Sequence, residues 1–518
     1  MKKLLALLVC LLATVLTALP PAGAKVVTYE DFGARGDGKT NDWKALFEAH
    51  QYANKHNLPV RARDDAHYYI GEMDKTITIQ TNTDFGKAHF TIDDRKLTKN
   101  SNRPIFSVSP IRGMGAKGIT KQVPSIKKGQ KKVDVRTQYP SIVTVRTNKQ
   151  RHFIRYGVNA NSGSEVRDSF LISPQGDIDP TTPVLWDMPQ VSSAALIPIP
   201  PEQLVIRGGT FLTLANAEKG PHVYYARNFY IYRSNTKVEG LTHLVKEPDS
   251  THSFPYAGFL SISGCANILI KDCVLTGHKQ YYCVKPNSAS TSTGTYDLSL
   301  NMAINVTLLN CSQSNDIYDR TWGIMGSNKC KNLTYDNCRL SRFDAHQGVC
   351  NAVIRNSEVG RSGIHVTGFG TLLVENCTFR RSDLVNLRQD YGSFWDGDII
   401  IRNSVWHIGS AIEPTVLTGH NPGTHDFGYE CRMPRSITLE NLVIKDKKHN
   451  RKYKGIALLG NFNRNFGKEQ IPQEYQIKVP EKIIIKNLKT ESGKKLYISP
   501  QAQMYKKVKV KVVKNNGK

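Results

Sequence analysis

Seven residues between positions 344 and 391 carry the groups best suited to chemistry: Asp344, His346, His365, Asn386, Arg388, Asp390 and Tyr391. Asp344 and His346 stand two apart, as do Asn386, Arg388 and Asp390. In a strand such pairs share a face, and equivalent positions of stacked parallel strands form ladders with steps of about 4.8 Å. Counting back from a recurrent turn puts Met325 and Ser327 in one turn of a coil and Asp344 and His346 in the next. With one extra residue, Gly363 and His365 follow in the third, then Asn386, Arg388 and Asp390 in the fourth, trailed by Tyr391. Glu413 and His407 would extend this column, with Arg320 and Arg342 beside it as candidate substrate contacts.

Such a column suits two reactions. The first is β-elimination on a uronic acid. A base removes the weakly acidic proton beside the carboxylate, a cation neutralises that carboxylate, and an acid assists the departing oxygen. Neutral His346 or His365 serves as base, Tyr391 as acid, and Arg388 as a two-pronged carboxylate clamp. The second is hydrolysis by paired carboxylates, which in an inverting enzyme stand about 6.5–9.5 Å apart; Asp344 and Asp390, two turns of the coil apart, fit that separation. Histidine and arginine outnumber acids in the column, so elimination ranks first.

Repeats supply the framework. A phrase of β-branched or apolar residues closed by Asn and then Cys or Ser ends at Asn310-Cys311, Asn337-Cys338, Asn356-Ser357, Asn376-Cys377 and Asn403-Ser404. Weaker copies end at Asp272-Cys273, Asn441 and Asn487. A period of about 20 residues with short alternating strands marks a solenoid. Asparagine accepts the left-handed backbone a tight turn requires. The following Cys or Ser then points inward, which predicts buried free thiols rather than bridges. Leucine-rich repeat spacing is missing, and a right-handed, single-stranded parallel β-helix fits best.

The amino-terminal stretch Tyr29-Glu30-Asp31-Phe32-Gly33-Ala34-Arg35-Gly36-Asp37-Gly38-Lys39-Thr40-Asn41-Asp42 leads into a predicted helix over 42–55. Trp43, Leu46, Phe47 and His50 share one of its faces, with Ala45, Ala49 and Ala53 beside them. This stretch resembles the entry cap of the pectate-lyase-like (pectin-lyase-fold) β-helix superfamily, in which such a phrase precedes a helix that plugs the coil. The resemblance implies the fold and leaves the chemistry open, since that superfamily holds lyases, hydrolases, epimerases and tailspikes. The carboxylate clusters that hold Ca²⁺ in many of its members are not evident in these repeats, nor is the acidic set of polygalacturonases, and no metal or cofactor is expected. Residues 112–200 break the rhythm and read as an insertion leaning over one side of the coil. The main coil occupies 200–450, and strand-like runs in the basic segment 450–518 are expected to close the far end.

Composition narrows the partners. Among 518 residues, 70 Lys and Arg face 44 Asp and Glu. The excess is concentrated: 12 basic residues against one acid over 112–155, and 20 against five over 445–518. Such segments suit an anionic partner. No zinc-finger, helix-turn-helix or RNA-binding signature points to nucleic acid. Met1-Lys2-Lys3, the apolar run Leu4 to Leu16 and Pro21-Ala22-Gly23-Ala24 read as a secretory leader cleaved after Ala24. Beyond it no apolar run is long enough to span a membrane. The expectation is a secreted or periplasmic lyase acting on an acidic polysaccharide, glycosaminoglycan or pectin-like. The alternatives are a glycoside hydrolase on the same scaffold and a non-catalytic glycan-binding or adhesion protein.

Overall fold

The computed structural model describes residues 25–98, 102–156, 160–216, 225–247, 258–283, 291–409, 411–420, 425–447, 452–462 and 477–513. The predicted leader, with Cys10, lies outside them. Among them no helix is long and apolar enough to cross a membrane. One continuous sheet joins 34 strands, and its ladders are parallel.

The asparagine phrase builds the coil in two ways. Each closing asparagine adopts left-handed backbone, from φ +55° at Asn310 to +47° at Asn487. Their side chains bond up the stack, Asn376 to Asn356 at 3.1 Å, Asn441 to Asn403 at 2.7 Å and Asn487 to Asn441 at 2.9 Å. The Cys or Ser that follows points inward. All eight described cysteines whose side chains are placed are free and buried, and Ser357 and Ser404 hydroxyls accept from the main-chain N–H of Cys338 and Cys377.

Strict alternation then fills the lumen. Ile268, Val306, Leu333, Ala352, Leu372, Ile399, Ile437 and Ile483 stand in one ladder, all buried. Burying each such side chain stabilises by about 1.5–3 kcal/mol. Leu372→Ala should therefore cost about 2–5 kcal/mol, read as a lowered urea midpoint, because the stacked neighbours above and below cannot collapse into the void.

The helix Trp43–His56 covers the first coil, burying Ala45, Leu46, Ala49, His50 and Ala53. Trp43 and Phe47, expected on that face, stay half-buried at its edge. The far end carries the expected strands. Lys482–Lys486 and Lys509–Val513 add further parallel turns, and Val510 and Val512 remain 43% and 64% exposed. Lysines on that last strand make it a poor template for edge-to-edge pairing.

Residues 112–200 form a separate antiparallel sheet of Lys117–Gly118, Ser141–His152, Ser164–Ile172 and Ser193–Pro198. Its own apolar cluster includes Val143, Phe170 and Met188. This sheet lies along one outer column of the coil, Ile304, Lys331, Cys350, Phe369 and Asp396. Ile304 packs with Ile142 and Leu171, and Trp186 meets Phe369 edge-on at 5.2 Å. Lys331 Nζ, 1% exposed, pairs with Asp168 at 2.8 Å, while Lys128 reaches Asp396 at 3.2 Å.

Candidate functional site

Ladder pairing sets the column. Gly326, Asp344, His365, Asn386 and Thr418 stand in successive turns. Asp344, His365 and Asn386 thus share a face as expected. Met325 and Ser327 do not: Gly326 lies opposite Asp344, so its two neighbours turn into the buried interior. Gly363 likewise pairs with Arg342 rather than Asp344. His407 stands elsewhere, between Arg380 and Lys445.

Asp344 is fully buried and occupied by donors. Tyr296 Oη donates at 2.6 Å, Arg342 lies at 2.6 Å and Arg388 at 3.0 Å. Gly326 makes this possible, since a Cβ there would stand 2.6 Å from the Tyr296 ring. Burial pushes the Asp344 carboxyl up, but the Arg342 and Arg388 guanidinium groups prevail and hold it at about 2. Arg388 also donates to Asp390 through Nε at 3.1 Å and a terminal nitrogen at 2.8 Å. Burial works against its charge, and the two carboxylates more than restore it. Arg342 donates to the Trp322 carbonyl at 2.8 Å and lies over the Trp322 and Tyr296 rings.

His346 lies where the register breaks after Ala345. Its Nδ1 is 3.2 Å from Asn328 Oδ1, and its Nε2 faces the Tyr391 hydroxyl at 3.3 Å. With Nδ1 donating to Asn328, Nε2 is left to accept from Tyr391. Burial, then the Arg388 charge, lowers the His346 pKa and keeps the ring neutral. Burial, then Asp390, raises that of Tyr391 and keeps its hydroxyl protonated. His365 is depressed to about 3 by burial and the neighbouring Arg342.

A groove of about 1110 Å³ runs beside this cluster, lined among others by Arg342, His365, Arg388 and Asp390. Asn386 also lines it, and donates to Thr418 Oγ1 at 2.9 Å. So do Arg381, Asp383 and Glu413, with Arg381 and Asp383 paired at 2.9 Å. His346 and Tyr391 do not line it; Arg388, which does, lies over the Tyr391 ring at 5.9 Å. Arg320 does not join: it is exposed and makes none of the contacts described among these residues.

Several contributors were invisible in sequence. Directly after the inserted strand Ser141–His152 comes Phe153, whose ring meets Tyr391 edge-on at 4.8 Å. Its φ of +60° is a backbone state that costs a bulky residue of order 1–3 kcal/mol. Tyr429 Oη donates to the Tyr391 carbonyl at 2.6 Å, and Gln347 Nε2 donates to the Tyr391 hydroxyl at 3.4 Å. Tyr296 and Asn328 come from earlier turns. Only Phe153, on a segment already singled out as an insertion, carried any advance signal.

No family model matches the chain. Over 111 residues it is 28% identical to a Klebsiella phage depolymerase described as specific for capsule KL64, a stretch of 19% of this chain and 11% of that protein. Among solved structures, tailspike gp61 of a Pseudomonas phage matches with a TM-score of 0.50 at 13% identity, covering 91% of this chain and 82% of its own. A second Pseudomonas phage tailspike, gp49, gives 0.48 at 12% identity, covering 93% and 84%. The chain therefore has the right-handed parallel β-helix fold of pectate-lyase-like proteins, a scaffold also used by phage tailspikes.

Proposed function

We propose that this protein binds and depolymerises an acidic extracellular polysaccharide, cleaving it by β-elimination at a uronate residue. One observation carries the reading: a neutral imidazole and a protonated phenol lie 3.3 Å apart, and the phenol ring lies 5.9 Å from Arg388, which lines the groove. The similarity to a capsule depolymerase supports a capsule-type polymer as the first substrate class to test.

In the reaction His346 Nε2 takes the proton from the carbon beside the uronate carboxylate. The bond to the leaving oxygen breaks, a carbon–carbon double bond forms, and the Tyr391 hydroxyl protonates the departing oxygen. The imidazolium and phenolate so produced face one another, and one proton transfer across their hydrogen bond restores both. Arg388 retains N–H groups beyond those given to Asp344 and Asp390 and directs them at the substrate carboxylate. Asp344 has no free face; it is a positioning residue that holds Arg388 and Arg342.

A second reading rests on the carboxylates. Asp383, Asp390 and Glu413 line the groove, and hydrolysis by a pair of them is the alternative. Incubation with capsule, glycosaminoglycan and pectin-type polymers followed by product mass analysis separates the two. Elimination gives an unsaturated end one water lighter than the hydrolytic product. Products without that deficit would transfer the chemistry to the carboxylates, and binding without cleavage would leave an adhesion protein.

The titrations set the pH profile. The base requires neutral His346, whose pKa is lowered from 6.5, so kcat/KM should rise through a limb below pH 6.5. The acid requires protonated Tyr391, raised from 10.0, so the alkaline fall should lie above pH 10. A profile that peaks in acid and falls by neutrality would instead indicate a protonated carboxyl as the acid.

A further inference from the structure

Three turns before the groove, and outside the machinery above, two histidines and an aspartate converge. His243 Nδ1 lies 2.8 Å and His278 Nε2 2.9 Å from Asp297 Oδ1. Their donor atoms all fall within 4.8 Å of one another, and all three side chains are 0% exposed. We infer that His243, His278 and Asp297 form a structural binding site for a divalent transition-metal ion, zinc foremost.

The outer partners point the same way. An oxygen faces the far nitrogen of each imidazole: Thr213 Oγ1 hydrogen-bonds His243 Nε2 at 3.0 Å, and Glu247 Oε1 stands at ion-pair distance, 3.4 Å, from His278 Nδ1. Carboxylate or hydroxyl oxygens on the outer nitrogen are what orient metal-bound histidines and raise their basicity. His243 Nδ1 and His278 Nε2 thus converge on the same Asp297 oxygen from two turns of the coil. The Thr276 N–H fixes the other Asp297 oxygen at 2.8 Å, and Phe259 stacks on the His243 ring at 4.0 Å. Two imidazoles and a carboxylate suit zinc or a neighbouring first-row ion, whereas calcium and magnesium favour all-oxygen sets.

Such an ion would brace the candidate site from behind. Asp297 follows Tyr296, whose hydroxyl donates to Asp344, and the Asp297 carbonyl accepts from the N–H groups of Phe259 and Leu260. Fixing Asp297 therefore fixes the strand start that presents Tyr296. Sequence gave no hint, because His243 and Asp297 are 54 positions apart and no short ligand spacing joins them.

The experiment uses the full chain, untagged. Its metal content is measured as purified, and again after chelation and addition of zinc or cobalt alone. About one zinc per chain is expected, with a raised Tm on zinc addition and cobalt absorption bands of a four- or five-coordinate nitrogen–oxygen site. Glu247→Gln, which keeps the ligands and alters only an outer partner, should weaken zinc binding by about 10–100-fold. His278→Ala should abolish it. A chain that is metal-free as purified and gains neither zinc nor stability on addition overturns the inference and leaves a protonated His278 between two carboxylates. Stoichiometric binding that survives both substitutions overturns it too, placing the ion elsewhere. If His278→Ala does not fold, the Glu247→Gln affinity and the wild-type cobalt spectrum decide.

Discussion

Tyr391→Phe is expected to lower kcat by about 10²–10⁴-fold, the span that a positioned general acid contributes. The change removes one oxygen and leaves the ring, so the edge contact with Phe153 and the main-chain bond from Tyr429 survive. Tm and KM should therefore stay close to wild type, and the loss should appear in the chemical step. His346→Ala should fall comparably, and the double variant should lose little more than either alone, because the two act on one proton path. Retention of most activity in Tyr391→Phe would remove the elimination mechanism. In that case Asp383→Asn, Asp390→Asn and Glu413→Gln are the substitutions that should silence the protein.

The second large effect concerns stability. Asp344→Ala should cost about 3–5 kcal/mol in urea unfolding, since truncating one partner of a buried ion pair strands the charges left behind. Here two guanidinium groups lose their common carboxylate, and the Tyr296 hydroxyl loses its acceptor. Asp390→Asn provides the contrast. Its side chain is 36% exposed, and an ion pair open to water is worth about 0–1 kcal/mol. Equal losses from both would mean that Asp344 is not the keystone of the cluster. Activity should also fall in Asp344→Ala, because Arg388 would no longer be aimed, and a variant that stays stable and active would end the positioning role.

The scaffold was legible because its signals are local. An asparagine in left-handed backbone, a small inward residue after it and alternating apolar positions are each decided within one turn of the chain. Repetition multiplies them: Asn310, Asn337, Asn356, Asn376 and Asn403 all take the predicted conformation. The same counting put Asp344, His365 and Asn386 on one face, although it set Gly363 rather than His365 opposite Asp344. It failed at Met325 and Ser327 because a shift of one position turns every side chain over, and ladder irregularities flank this region, between Leu340 and Arg342 and again after Ala345. The later break is also what swings His346 out of the column and onto Asn328 and Tyr391.

Sequence by itself determined the coil, its entry helix, its free buried thiols and the cluster of polar side chains on one face, because period and turn chemistry are properties of neighbouring residues. Tertiary structure alone decided which of those groups do what. It sealed Asp344 between two arginines, paired His346 with Tyr391, laid the inserted sheet along Lys331 and Phe369, and brought His243, His278 and Asp297 together. Those outcomes depend on burial and on contacts between residues tens to hundreds of positions apart, and a carboxylate or an imidazole has no fixed role until its solvent and its partners are set.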